Sequence, residues 1–252
     1  MWIRKVRKRP MKKSYLQTSL ENLRNKSEKN HSSQEPLSFS TDLNENERLL
    51  TNQLGKSQDV MFTKFNIKYT NDNNIDAILV AIDGLVDEEA KRNNVIKPLI
   101  EKPFEHHTDH PFTSIRERLS VKSAMIESDP KKMIEKILKA EAFLMIDGIA
   151  AGLLLAIEGF EIRAIEEPET EQVVRGPREG FIETSSVNLS MIRRRIPSPH
   201  LRFETVEVGE YSQTGVTIAY MNDISDPKLV DHVRQRINEI KVDQINSSGD
   251  IE

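Results

Sequence analysis

At 252 residues the chain is long enough for one or two domains with a buried core. It contains no cysteine, which excludes a disulfide framework, a thiolate metal site and a cysteine nucleophile. The formal net charge of −4 hides an asymmetry: residues 1–56 hold 12 Lys and Arg against 6 Asp and Glu, leaving 24 against 34 for residues 57–252. An acidic globular part is therefore expected to carry a basic tail.

Residues 1–56 are rich in Lys, Asn, Ser, Glu and Gln and poor in aromatics, so most of this tail is expected to be disordered. A helix is expected over 43–54, where Leu43, Leu49, Leu50 and Leu54 approximate one apolar face. The tip, Met1–Lys13, carries seven basic residues with Trp2, Ile3 and Val6 among them. Each such cation contributes about 1 kcal/mol near an anionic leaflet, so an anionic membrane is a partner that this tail suits; no nucleic-acid partner is expected. No apolar stretch follows the tip, so it does not read as a secretory leader.

Residues 59–67 alternate Met61, Thr63, Phe65 and Ile67 with other residues and predict a strand. Ile75–Ile82 is an apolar run, unbroken after Asp76, that ends in Asp83-Gly84, the pattern of a buried strand meeting a turn. Helical spacing follows over Val86–Ile100, weakened by Pro98 and stopped near Pro103. His106, His107 and His110 lie between Pro103 and Pro111, which reads as an exposed loop, and no metal is expected there. Ser128-Asp129-Pro130 is a helix start, and Met133, Ile134, Ile137 and Leu138 form the apolar stripe behind it.

The run from Ala142 to Ile157 is the one candidate for a membrane span. It is shorter than the ~20 residues a spanning helix needs and is interrupted by Asp147-Gly148, so it is read as Ala142–Ile146 and Gly152–Ile157 strands around a turn. The chain is accordingly expected to be soluble. Phe160–Ile165 and Gln172–Val174 are further extended pieces. Leu201–Val208 and Val216–Tyr220 read as paired strands, and Asp226-Pro227 opens a last helix lined by Leu229, Val230, Val233, Ile237 and Ile240. Strands recurring between helices make the fold class α/β. The segments VAIDGLVD and LMIDGIAAG are alike enough to be a weak internal repeat or two uses of one turn.

Chemistry-bearing motifs are few. Gly55-Lys56-Ser57 resembles the end of a phosphate loop, but Leu50 stands where the first glycine belongs. No dinucleotide fingerprint and no Gly-x-Ser-x-Gly elbow is present, so neither an enzyme nor a cofactor is expected.

The stretch 173–196, VVRGPREGFIETSSVNLSMIRRRI, is the most distinctive. Gly176, Pro177 and Gly180 are turn residues, and they hold Arg175, Arg178 and Glu179 on a bend. Arg193, Arg194 and Arg195 close the segment; on a helix they point about 100° apart, so at most one or two share a pocket. This wording resembles the VRGPxxGFxE segment of spore germination receptor A subunits, the GerA family. The resemblance continues through Asn188, the block Ile192–Ile196, GVTIAYMNDI at 215–224, the helix at 227–245 and SSGDIE at 247–252. AILVAIDGLVDEE at 77–89 and AFLMIDGIAAGLLL at 142–155 extend it over 57–252.

The resemblance implies two small α/β subdomains separated by a cleft, expected here at 57–140 and 141–252, like the substrate-binding proteins of ABC transporters. It implies a non-enzymatic sensor whose full-length form continues into a membrane domain. That receptor works with a transporter-like B subunit and a lipoprotein C subunit in the spore inner membrane, this region facing the cytosol. A nutrient, an amino acid or sugar, triggers it. In such a cleft Asp83 with Gly84 and Asp147 with Gly148 are candidate ligand-binding turns, beside the plainer reading that each Asp caps a neighbouring element. Arg175 and Arg178 are candidates for a ligand carboxylate. Gly176, Pro177, Gly180, Asn188, Arg193, Arg194 and Arg195 are assigned to the subdomain junction. An assembly module that binds no small ligand is the alternative function.

Overall fold

The computed structural model describes residues 37–68, 74–101, 103, 111–159, 180–245 and 247–251. The His106–His110 loop, the extended pieces at 160–165 and 172–174, and Arg175, Gly176, Pro177 and Arg178 lie outside the described residues. So does the basic tip.

Residues 38–252 make one compact unit. Its first element is helix α1, Leu43–Leu54, capped by Asp42, whose side chain accepts from the Asn44 N–H. An isolated helix of this length is marginal in water. This one is held because Leu43, Leu50 and Leu54 are buried, each gaining about 1.5–3 kcal/mol by leaving water. The expected tail boundary at residue 56 is thereby corrected, since Phe39 and α1 belong to the core. Composition over 1–56 diluted the signal of these few apolar residues.

Strands β1 (Val60–Lys68), β2 (Asn74–Ile82), β3 (Ala124–Glu127), β4 (Ala142–Ile146) and β5 (Gly152–Leu155) form one sheet in the order β1-β2-β4-β5-β3, every pair antiparallel. Alternation sorts its side chains. Ile78, Val80 and Ile82 of β2 join Phe143, Met145 and Leu154 on one face, under α1 and helix α4 (Pro130–Ile137). Ala77, Leu79 and Ala81 join Leu144, Leu153 and Leu155 on the other, under helices α2 (88–101) and α3 (Pro111–Arg118). Burial on both faces is why these strands read as unbroken apolar runs.

Helix α2 passes from Glu88–Ala90 through a π-helical Lys91–Ile96 to Lys97–Glu101. Pro98 lacks the N–H that would return to Asn94, and the Asn94 carbonyl accepts from the Ser120 N–H instead, at 3.3 Å. The helix therefore continues past Pro98, with one turn wound wider than α.

The expected division at residue 140 is also corrected. β4 and β5 lie hydrogen-bonded between β2 and β3, so a cut at 140 would split the sheet. A strand running into an Asp-Gly turn looks the same in a parallel lobe and in an antiparallel hairpin, so the pattern could not place the boundary. A second, smaller layer follows: helix α5 (Ser185–Arg195), the hairpin β6 (Leu201–Val208) and β7 (Thr214–Met221), and helix α6 (Pro227–Asn238). Asp226 caps α6 through the Lys228 N–H, as its Asp-Pro start predicts. Val230 and Ile237 are the buried residues of α6, and its main contact is with strand β6.

Candidate functional site

The two layers meet at a polar seam built from three short stretches. Arg193, near the end of α5, is 1 % exposed and is among the largest fully buried side chains. Its Nε donates to Asp59 Oδ2 at 2.7 Å and its Nη2 to Asp59 Oδ1 at 3.0 Å, a two-point fork on a carboxylate at the entry to β1. Nη1 donates to the Ser198 carbonyl at 2.8 Å, and Nη2 also reaches the Leu201 carbonyl at 3.2 Å. Ser57 Oγ donates to Asp59 Oδ1 at 2.6 Å and accepts from the Phe203 N–H at 3.0 Å. The guanidinium lies over the Phe203 ring at 5.2 Å, and the Gln58 N–H donates to the Phe203 carbonyl at 3.0 Å. One residue of α5 thus ties the start of the five-stranded sheet to the start of the hairpin.

A second arginine stands beside it. Arg202 is buried, and its Nη1 donates to the Pro199 and Leu201 carbonyls. Burial first, and then the Arg193 charge, lower its pKa from the ordinary arginine value. It lies flat on Gly55, where an added Cβ would sit 2.0 Å from Arg202 Nε. Gly55 ends α1 with φ 69°, so it supplies both the left-handed bend and the room for that guanidinium.

Several candidates from the sequence gather at this seam. The Asp83 N–H donates to the Asp59 carbonyl at 2.8 Å, placing the turn after β2 beside the seam carboxylate. A Cβ on Gly84 would lie 2.8 Å from Ser190 Cβ, so α5 rests directly on that turn. Asn188 accepts from the Ile182 N–H at 2.8 Å and donates to the Ile182 carbonyl at 2.6 Å, which fastens the segment following Gly180 to the helix. The three arginines separate by helical rotation: Arg193 is buried, Arg194 half-buried and Arg195 exposed. The Asp83 side chain is half-buried and makes no hydrogen bond or ion pair among the described residues.

Asp147 and Gly148 are elsewhere. The Asp147 N–H donates to the Asp76 carbonyl, at the opposite end of β2 from Asp83, about 23 Å away at ~3.3 Å per residue. The two aspartates do not converge. Asp147 Oδ1 accepts from the Leu43 N–H at 3.1 Å and the Gly148 N–H donates to the Thr41 carbonyl at 2.8 Å, so this turn anchors the start of α1.

A third polar group stiffens the hairpin layer. Glu204 accepts from the Tyr220 hydroxyl and from Arg234, whose Nη2 lies 2.6 Å from Glu204 Oε2 and whose Nη1 reaches Asp231 at 2.6 Å. Burial raises the Glu204 pKa, but the Tyr220 and Arg234 hydrogen bonds outweigh it and hold the carboxyl below its usual range. Burial and Glu204 together push the Tyr220 phenol up.

Nothing in the sequence marks Ser57 or Asp59 as seam residues: Ser57 reads there as the end of a phosphate-loop likeness, and Asp59 as the start of a strand over 59–67. The only local signal is a charge opening an apolar alternation, and its partner lies 134 positions away. No group of His, Cys, Asp and Glu placed to hold a metal occurs among the described residues, and no described helix is long and apolar enough to cross a membrane.

With this geometry in hand, comparison with known proteins decides the family. The profile described as Bacillus/Clostridium GerA spore germination protein matches residues 48–252. The chain belongs to the GerA spore germination family. Relatives from Bacillus subtilis include a protein named uncharacterized membrane protein YfkQ, 32% identical over 85% of this chain and 41% of its own length. Spore germination protein KA of the same organism is 32% identical over 86% of this chain and 40% of its own length. The chain thus spans about two fifths of these relatives. Among solved structures, the N-terminal domain of the A subunit of the Bacillus megaterium spore germinant receptor GerK3 matches with a TM-score of 0.61. It covers 82% of this chain and 75% of that one at 21% identity, and it shares the mixed α/β fold.

Proposed function

We propose that this chain is the nutrient-responsive N-terminal region of a germinant receptor A subunit, taking a small solute between the five-stranded layer and the hairpin layer. The observation that carries the reading is the seam around Arg193 in a GerA-family chain: any change in how the layers sit must strain or break the fork on Asp59. A solute shifts that arrangement only by its difference in affinity between the two states. Asp83 and Gly84, beside α5, are the seam-side candidates for a ligand amine or hydroxyl; Arg175 and Arg178, outside the described residues, are candidates for a ligand carboxylate on the sequence alone. Asp147 and Gly148 serve α1 and are left out of the proposed pocket.

In this reading the change passes to the remainder of a longer A subunit and to B and C subunits in the spore inner membrane. This region faces the cytosol, and the basic tip lies against the anionic leaflet. No covalent step is involved. Titrating the whole chain with L-amino acids and sugars, followed by amide NMR shifts, tests the solute. Saturable shifts at Asp83, Gly84, Asn188 or Arg193 support it, and none at tens of millimolar removes it.

A second reading, an assembly module without a small ligand, is favoured by the separation of Asp83 from Asp147. Charge reversal at exposed Arg195 distinguishes the two. An assembly role predicts loss of the other receptor subunits on purification, whereas sensing predicts an assembled receptor with a changed nutrient response.

A further inference from the structure

The two edges of the five-stranded sheet are finished differently. β1 exposes Lys64, Asn66 and Lys68 along its length, charges and amides that discourage another strand from pairing there. At the opposite edge β3 pairs, among the described residues, with β5 alone, Ala124↔Leu155 to Glu127↔Gly152. Its one charged side chain is the half-buried Glu127 at the end of the strand, whose carboxylate accepts from the Ser128 and Asp129 N–H groups; Met125 is 64% exposed and Ile126 47%, on opposite faces of the strand. One strand inward, Leu153, Leu154 and Leu155 are all buried.

Beside β3 runs a groove whose lining includes Arg116, Glu117, Leu119, Val121, Lys122 and Met125. Leu119 and Val121 give it an apolar floor continuous with the sheet's second core cluster. Arg116 and Lys122 take part in no ion pair or side-chain hydrogen bond among the described residues, and Glu117 is the one carboxylate in the lining.

We propose that β3 is a docking edge for an extended acidic segment of another protein, which adds as a further strand. The open N–H and C=O groups of β3 would pair with its backbone, as in other strand-addition complexes. One aliphatic side chain of the segment would enter the groove over Leu119 and Val121. A carboxylate flanking it would meet Arg116 and Lys122, which sets the sign of the partner. A second copy of this chain is disfavoured as the occupant because it would bring the same two cations to the join. The site lies at the β5–β3 side of the sheet, away from the Arg193 seam at the β1–β2 side, so it stands apart from the solute reading.

The test uses the whole chain and two blocked peptides, Glu-Val-Glu-Val-Thr-Val and its counterpart with Lys for Glu, titrated while the amides of 124–127 are followed by NMR. The acidic peptide is expected to shift those amides saturably and the basic one to leave them unmoved. Ile126→Thr with Arg116→Glu, both at exposed positions, is expected to weaken the acidic peptide at least tenfold at an unchanged Tm. Absence of shifts at 124–127, equal binding of both peptides, or retained affinity in the double variant overturns the proposal. Concentration-dependent shifts of the same amides without peptide overturn it in favour of self-association.

Discussion

The five-stranded layer and the hairpin layer are stabilised in opposite ways. The first has apolar cores on both faces, roofed by α1 and α4 on one side and α2 and α3 on the other. The second has two strands, two helices and few buried apolar side chains, and two antiparallel strands are marginal by themselves. What holds the second to the first is in large part polar: a fork of Arg193 on Asp59, with Ser57, Phe203 and Arg202 arranged around it. Apolar burial is tolerant of small shifts. A buried ion pair is not, because a partner left behind is an uncompensated charge.

The largest expected effect therefore comes from breaking the pair. Asp59→Ala is predicted to destabilise the chain by about 3–5 kcal/mol in urea unfolding. Arg193→Ala should do the same, and the double variant should lose much less than the sum. Additive losses would mean that the two residues act separately.

The paired turns sharpen the contrast at smaller scale. Gly84 and Gly148 both follow a strand and an aspartate, with φ 71° and 85°. Alanine at φ > 0 costs about 1–2 kcal/mol at either. At Gly148 nothing lies within 4 Å of the new Cβ, so that strain is the whole cost. At Gly84 the Cβ meets Ser190 of α5 at 2.8 Å, adding about 1–3 kcal/mol of overpacking at the seam. Equal losses in the two variants would place α5 elsewhere than on the β2 turn.

Within the five-stranded layer, Asp147→Ala removes an acceptor from the start of α1 and is predicted to cost about 0.5–2 kcal/mol. Proteolysis near residue 43 should rise with it if the carboxylate anchors the helix. Within the hairpin layer, the expected effect is a pH dependence. The Glu204 pKa is depressed on folding, so its contribution is complete above the unfolded value near ~4.3 and is lost as pH falls through the folded one. Tyr220, raised on folding, contributes below about pH 10 and loses that as pH rises through its folded value. Glu204→Gln should flatten the acid limb of a stability–pH profile, and an unchanged limb would assign it to other carboxylates.

Much of the fold was legible because it rests on local rules. Asp-Pro starts gave α4 and α6, unbroken apolar runs gave β2 and β4, and alternating ones gave β1 and the hairpin. β3 was not legible, since four residues with Met125 and Ile126 in the open carry no pattern of their own. The order of strands was missed for a different reason. An apolar run does not say which run lies beside it, so β2 and β4 were assigned to separate lobes when they are neighbours. The seam was half legible: the triplet Arg193–Arg195 stands out, and helical rotation predicts that the three arginines part, without saying which one turns inward. Its acceptor did not stand out, because Asp59 becomes special only when α5 is laid across the β1 entry.

That α5 couples the layers through this pair is tested most directly by amide hydrogen exchange on Asp59→Asn, which keeps the side chain's shape and removes its charge. The account predicts that the amides of β6 and β7 lose protection while those of β2 and β4 keep theirs. Equal loss across both sheets, or no loss in the hairpin, would contradict it.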